Sequence, residues 1–254
     1  MNKLFCVVFF NPAQSDIDFY TNIEGHDFAF IVNDATSVDL YSLQKFNILH
    51  SGENIGLSKA YNVFLKYALD NNYEFFITFD QDSRFDLKEL SKYENYRPYI
   101  NDAVTGVYWS KSTNVNSLVD WVISSGSLYD TKIISNVGGF DEYYFIDRVD
   151  VDLCYSVRSQ GYNVRNINLI SLKHSVGGSE EKKFSVPIDH SPIREYYIFR
   201  NRMYFYSKFS TIFDMRLLLS SLKQVLFILF FHKHKMKKIR YIFSAFFDYF
   251  EFKS

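Results

Sequence analysis

Asp80 and Asp82, one residue apart in Asp80-Gln81-Asp82-Ser83, follow directly on the apolar run Phe75–Phe79. A short β-rich apolar run of this kind reads as a buried strand, and its carboxyl end delivers both carboxylates. In an extended or turning backbone, residues i and i+2 can face the same way, so the pair can reach one hard cation. Mg²⁺ or Mn²⁺ held there would clamp nucleotide phosphates and neutralise charge on a departing diphosphate. An isolated Asp-x-Asp is more often an acidic turn ahead of a helix. The elements around this one point to the cation.

Strand and helix signals alternate through the first half of the chain. Leu4–Phe10, Phe28–Val32 and Asn47–His50 are β runs, the first ended by Asn11-Pro12 and the second by Asn33-Asp34. Leu57, Ala60, Tyr61, Phe64, Leu65 and Ala68 recur at helical spacing, and Gly56 frees the backbone at the start of that helix. With the strand that follows, this is one unit of a mostly parallel α/β sheet. Ligands bind such sheets outside the carboxyl ends of the strands, where Asn11, Asn33, Asp34, Asp80 and Asp82 all fall. The second half carries Gly126, Gly138-Gly139-Phe140-Asp141-Glu142 and an acidic stretch, Asp147 to Asp152, that opens a helix predicted to stop at Gly161. A β run over 163–172 and then His174 follow.

Composition narrows the classes. The 254 residues are 47% hydrophobic and 22% charged, enough for a full globular core. A formal net charge of −1 argues against nucleic acid as partner. Neither G-x-G-x-x-G nor G-x-x-x-x-G-K-[ST] occurs, which speaks against a dehydrogenase or a P-loop ATPase. Cys6 and Cys154 sit in apolar runs as core residues, and no Cys/His set has zinc spacing. The longest apolar run, Val225–Phe231, falls far short of the roughly 20 residues of a membrane span. A cytoplasmic location is expected, with peripheral contact at the inner face of the cytoplasmic membrane.

The ordered set Asn11-Pro12, Glu53-Asn54-Ile55-Gly56-Leu57 with Asn62, Asp80-Gln81-Asp82-Ser83, Ser125-Gly126-Ser127, Gly138 to Glu142, Phe145-Ile146-Asp147 with Val149-Asp150, His174 with Gly177, and Arg194-Glu195-Tyr196-Tyr197 with Arg200-Asn201 spans roughly residues 4 to 205. It resembles the inverting family 2 glycosyltransferases of GT-A type, and within them the bacterial rhamnosyltransferases of surface polysaccharide biosynthesis. Two departures stand out. Asn33-Asp34 reverses the order usual in the family, and Ser156 stands where an arginine is usual, with Arg158 two residues on.

The resemblance implies a GT-A fold, a nucleotide-sugar donor, Mg²⁺ or Mn²⁺, and a lipid-linked or oligosaccharide acceptor. Carried over by residue, it makes Asp150 the base, with Asp147 and Asp152 as rivals. Asp82 becomes a metal ligand, Asp80 a metal or ribose contact, and His174 a further metal ligand. Asn11, Asn33, Asp34, Asn54, Gly56 and Gly126 fall on the donor side; Gly139, Asp141 and Asp147 fall on the acceptor side. Each has a plainer reading. Asp150 suits a helix dipole, Asn33-Asp34 a strand-ending turn, Asn54 and Asn62 a cap, the glycines simple turns, His174 a structural role, and Arg194 and Arg200 a solvated surface.

Composition shifts near 208–214, dividing a transferase domain, residues 1–210, from a helical tail, residues 211–254. The tail sets apolar segments beside Lys233, Lys235, Lys237, Lys238 and Arg240, as an interfacial membrane helix requires; packing on the domain or on a second subunit is the other reading. The expected activity is transfer of L-rhamnose from dTDP-rhamnose onto a lipid-linked or growing glycan such as O-antigen or capsule. The alternatives are a UDP-sugar donor (galactofuranose or a hexose), or a non-catalytic sugar-nucleotide or glycan-binding module.

Overall fold

A computed structural model describes residues 2–34, 40–106, 116–167, 173–174, 189–210 and 215–253. In chain order the elements are β1 (Lys3–Phe10), α1 (Gln14–Thr21), β2 (Phe28–Asn33), β3 (Asn47–Gly52), α2 (Leu57–Asp70), β4 (Phe75–Asp80), β5 (Ser83–Arg84), α3 (Leu90–Asn95), β6 (Asp102–Gly106), β7 (Ser117–Leu118), β8 (Ser127–Asp130), α4 (Thr131–Asn136), α5 (Val149–Ser159), β9 (Asn163–Asn166), β10 (Lys173–His174), α6 (Pro192–Phe209), α7 (Met215–Phe231) and α8 (Lys235–Lys253). They divide into two compact units. Unit 1 is Met1–Phe145 with Val149–Gly177; unit 2 is Ile146–Arg148 with Gly178–Ser254.

Unit 1 is built on an eight-stranded sheet in the order β3-β2-β1-β4-β8-β6-β9-β7. Pairings β3–β2, β2–β1, β1–β4 and β6–β9 are parallel, while β8 runs against both β4 and β6, and β7 against β9. The mostly parallel α/β sheet expected from the alternating signals is present. β1 is apolar at every position from Leu4 to Phe9 because both of its faces are covered. Phe5, Val7 and Phe9 face a core shared with Ile17 and Tyr20 of α1 and with Phe28 and Phe30 of β2. The predicted helix is α2, with Ala60, Tyr61, Phe64, Leu65 and Ala68 buried.

Two strands run past their expected ends. β2 runs on to Asn33 and β3 to Gly52 because these two residues pair with each other, a register that short apolar runs do not reveal. β9 ends at Asn166; residues 168–172 of the expected run lie outside the described residues. α5 stops at Ser159, and the Gly161 N–H donates to the Arg158 carbonyl at 3.0 Å to close its last turn. Cys6 and Cys154 are free and buried.

Unit 2 is helical. Phe199 and Met203 of α6 pack with Ile228 of α7 and with Ile242, Ala245 and Tyr249 of α8.

Candidate active site

β4 ends at Asp80, between β1 and β8. The turn that follows is held from several directions. The Phe10 N–H donates to Gln81 Oε1 at 2.7 Å, tying it to the end of β1. The Asp80 N–H donates to Ser125 Oγ at 3.3 Å, and the Ser83 and Ser125 hydroxyls lie 2.6 Å apart. The Gly126 N–H donates to the Thr78 carbonyl at 2.7 Å, at a φ of 77° that favours glycine. From below, the buried Tyr20 hydroxyl donates to the Asp80 carbonyl at 2.8 Å. Arg84 pairs with Asp16, lies over the Phe19 ring, and donates to the Gln81 carbonyl at 3.0 Å. The backbone bearing Asp80 and Asp82 is thus set before any ligand arrives, which lowers the entropy lost on binding.

Asn11, Asn33 and Asp34 cluster at the ends of β1 and β2. The Asn11 N–H donates to the Asn33 carbonyl, and the Asp34 N–H donates to the Gly52 carbonyl at 2.7 Å. Asn11 and Asp34 are left-handed, at φ 42° and 46°, a conformation asparagine and aspartate tolerate better than other side chains. Asn33 is buried, and its Oδ1 accepts from the Ile55 N–H at 3.4 Å. Asn54 Oδ1 accepts from the Gly56 N–H at 3.0 Å, forming a turn before α2. Gly56 sits at φ 80°, and a Cβ there would meet the Phe145 ring at 2.6 Å.

Asp150 lies in the first turn of α5, its Oδ1 accepting from the Val151 N–H at 2.8 Å. Tyr61 links it to Asp80 electrostatically. Burial pushes the Tyr61 phenol well above its usual value, the Asp80 charge pushes the same way, and Asp150 adds to it; hydrogen bonds with Ser124 and Thr78 act against them. Tyr61 therefore stands in the field of both carboxylates as a buried neutral hydroxyl. Its helical spacing marks it only as core.

Gly139 and Asp141 are organised differently. Asn62 of α2 accepts from the Phe140 N–H and donates to the Phe140 carbonyl, both at 2.8 Å, and donates to Glu142. A Cβ on Gly139 would meet the Asn62 amide oxygen at 2.7 Å. Asp141 Oδ1 accepts from the Tyr143 N–H at 3.1 Å.

Asp147 falls in unit 2. Asp147 and Arg148 are consecutive left-handed residues, at φ 61° and 66°, each costing about 1–2 kcal/mol. Three positions of α6 hold them. Buried Asn201 donates to the Ile146 carbonyl at 2.6 Å and to the Asp147 carbonyl at 3.1 Å. Arg194 donates to Asp147 Oδ1 at 3.1 Å, and Arg148 lies over the Phe205 ring at 4.9 Å. Asp147 Oδ2 is buried without a hydrogen-bond partner among the described residues. Arg194 is therefore engaged with a carboxylate here, and Arg200 donates to Asn201 Oδ1 and lies over Tyr196 and Tyr197.

The backbone of His174 pairs with Ser83, next to Asp82; its side chain lies outside the described residues. Among the described residues no three His, Cys, Asp or Glu side chains form a metal cage. Asp80 and Asp82 offer carboxylate oxygens, the donor type that a hard cation takes.

No family model matches the chain. The dTDP-rhamnosyl transferase RfbF of Shigella flexneri is 29% identical over 229 residues, covering 77% of this chain and 76% of that protein. The crystal structure of S. aureus TarS with UDP-GlcNAc matches at TM-score 0.55 and 15% identity, over 98% of this chain and 80% of that one. GalNAc-T7 with UDP, GalNAc and Mn²⁺ matches at TM-score 0.62 and 8% identity, over 88% of this chain; the chain spans about half, 51%, of that structure. At these identities the two structures speak for fold alone. Sequence relative and fold together make this chain a glycosyltransferase of GT-A type, similar in sequence to a bacterial dTDP-rhamnosyl transferase.

Proposed function

We propose that the protein is an inverting, divalent-metal-dependent glycosyltransferase that moves L-rhamnose from dTDP-rhamnose onto a lipid-linked or growing surface glycan such as O-antigen or capsule. The observation that carries the donor is the similarity to a dTDP-rhamnosyl transferase across three quarters of both chains. The braced turn bearing Asp80 and Asp82 supports the metal-dependent chemistry. Residues 1–210 form the transferase domain in this reading. Residues 211–254 form a tail at the inner face of the cytoplasmic membrane; among the described residues no helix is long and apolar enough to cross one.

Asp80 and Asp82 would hold Mg²⁺ or Mn²⁺, with His174 as a further ligand, and the bound cation would neutralise charge on the leaving diphosphate. Asn33 and Asp34, with Asn11, Asn54, Gly56 and Gly126, hold the nucleotide and sugar. Gly139, Asp141 and Asp147 take the acceptor. Asp150 accepts the proton of the attacking hydroxyl. As that oxygen bonds to the anomeric carbon, the carbon–oxygen bond to the diphosphate breaks and its electron pair leaves with dTDP.

A thermal-shift panel of dTDP, UDP, GDP and CDP with Mg²⁺ or Mn²⁺ tests the donor and the metal. The expected outcome is a metal-dependent shift with dTDP, about 2.7 kcal/mol at a hundredfold excess over Kd, lost in Asp82→Ala. A shift selective for UDP overturns the rhamnosyl donor, and no shift with any nucleotide overturns the enzymatic reading. Asp150→Asn should lower donor turnover by about 10² to 10⁴ without lowering nucleotide affinity.

A further inference from the structure

α7 and α8 each carry two apolar faces, and α6 covers only one of them. On α8 the inward positions are Lys238, Ile242, Ala245 and Tyr249, spaced four, three and four apart along one stripe. A second stripe on the same helix, Met236, Phe243, Phe246, Phe247 and Phe250, stands 41–73% exposed. α7 repeats the pattern, with Ile228 inward and Leu219, Leu222, Leu226, Leu229 and Phe230 exposed along its outer side. The α7 stripe lines a shallow apolar groove of about 320 Å³. Soluble surfaces seldom expose so many large apolar side chains in continuous rows.

Basic side chains outnumber acidic ones on these helices. From Met215 to Phe247 the chain has no aspartate or glutamate. Lys223, Lys233, Lys235, Lys237 and Arg240 are exposed. Lys238, the remaining member of the basic run, is not part of that display: it is buried, paired with Asp189 and 3.3 Å from His232 Nδ1. The two carboxylates of α8 lie near its end: Asp248 accepts from the Tyr196 hydroxyl at 2.6 Å, and Glu251 is exposed.

We propose that the outer faces of α7 and α8 lie in the surface of an anionic lipid bilayer, the Leu and Phe stripes reaching the acyl boundary and the exposed cations meeting headgroup phosphates. This deepens the membrane placement in the proposed function and names the face, but it rests on unit 2 alone. Anionic lipid complements both features together, apolar chains for the stripes and negative charge for the cations. A second copy would cover the stripes but bring like charge against the cations. No helix among the described residues is long and apolar enough to span, so the helices lie along the surface.

The test is sedimentation of the full chain with vesicles of a two-to-one mixture of phosphatidylcholine and phosphatidylglycerol, beside vesicles of phosphatidylcholine alone. Wild type should bind the anionic vesicles, and about 0.5 M salt should release much of it. A triple variant Phe230→Gln, Phe243→Gln, Phe247→Gln and a triple variant Lys233→Glu, Lys235→Glu, Lys237→Glu should each weaken binding more than about tenfold, with unchanged circular dichroism. No binding of wild type to anionic vesicles overturns the proposal, as does binding at the wild-type level by both triple variants. A wild-type dimer that the Phe variant splits, with no vesicle binding, assigns the face to a second copy instead. Vesicle binding requires no nucleotide, so loss of transferase activity with intact binding counts against the enzymatic reading alone.

Discussion

In unit 1 the large aromatic side chains Phe5, Phe9, Phe28, Phe30, Phe76 and Phe79 are buried, and the carboxylates Asp80 and Asp82 stand at the end of a strand. In unit 2 Phe230, Phe243, Phe247 and Phe250 are exposed, while Glu195 and Lys238 are 2% and 1% exposed. Both units are rich in phenylalanine and charge, so composition does not separate them. What differs is the partner available to each side chain. The sheet offers two broad apolar faces and collects polar groups at its strand ends, where a ligand binds. Three helices offer narrow faces, and a buried charge between them persists only when another polar group meets it. Gln224 donates to Glu195 Oε2 at 2.6 Å, and His232 Nδ1 lies 3.3 Å from Glu195 Oε1. The contrast separates a unit built on a two-faced sheet from one whose outer helix faces are apolar.

Substitutions at a buried charge and at an exposed ring probe that contrast most strongly. Glu195→Ala removes the partner of both Gln224 and His232 and should cost about 3 kcal/mol in denaturant unfolding. Phe247→Gln, on the exposed stripe, should stay within about 0.5 kcal/mol of wild type. Equal losses at the two sites would break the comparison.

Backbone geometry sharpens it next. Gly56→Ala combines a positive φ with a 2.6 Å approach to the Phe145 ring, so it should lower stability by about 2–3 kcal/mol. The same substitution at Gly25 meets no atom within 4 Å and should lose only the φ contribution, about 1 kcal/mol. In unit 2, Asn201→Ala leaves two carbonyls of a left-handed loop without their donor and should cost about 2 kcal/mol, read as a lower midpoint in urea.

The last step is a pH effect on three buried phenols of unit 1. Burial holds the phenols of Tyr20, Tyr61 and Tyr93 well above 10.0, the usual value at which they titrate once unfolded. Above that pH the unfolded chain binds fewer protons than the folded one, so stability falls as pH rises; below it these groups have no effect. The slope should approach about 1.4 kcal/mol per pH unit for each tyrosine, seen as tyrosinate absorbance appearing together with unfolding.

Legibility followed the same division. The apolar run Phe75–Phe79 and the residues after it were enough to put Asp80 at a strand end, because alternation and strand length are local properties. The rank of that strand, parallel to β1 and antiparallel to β8, was not local and did not show. Tyr61 occupies an apolar helical position, so periodicity reads it as core; that the Asp80 and Asp150 charges both act on its phenol depends on contacts remote in sequence. Asn201 stands in the sequence only as a motif residue beside Arg200; its amide reaches the 146 and 147 carbonyls, more than fifty positions away. The five clustered cations of the tail read as one display, yet Lys238 turns inward, since a helix face is defined by what packs on it.

By itself the sequence determined the α/β alternation, the paired carboxylates after a buried strand, the amphipathic α2 and the apolar, basic character of the tail. These follow from periods of two and 3.6 residues and from side-chain chemistry, which need no partner to be read. Only the tertiary structure decided the sheet order, the braces on the Asp80–Asp82 turn, the α6 contacts that hold Asp147, and which stripes of α7 and α8 remain uncovered. Each of these depends on groups tens to over a hundred residues apart meeting at one place, as Phe10 meets Gln81 and Lys238 meets Asp189. Such meetings are set by packing across the whole chain, and a local pattern carries no record of them.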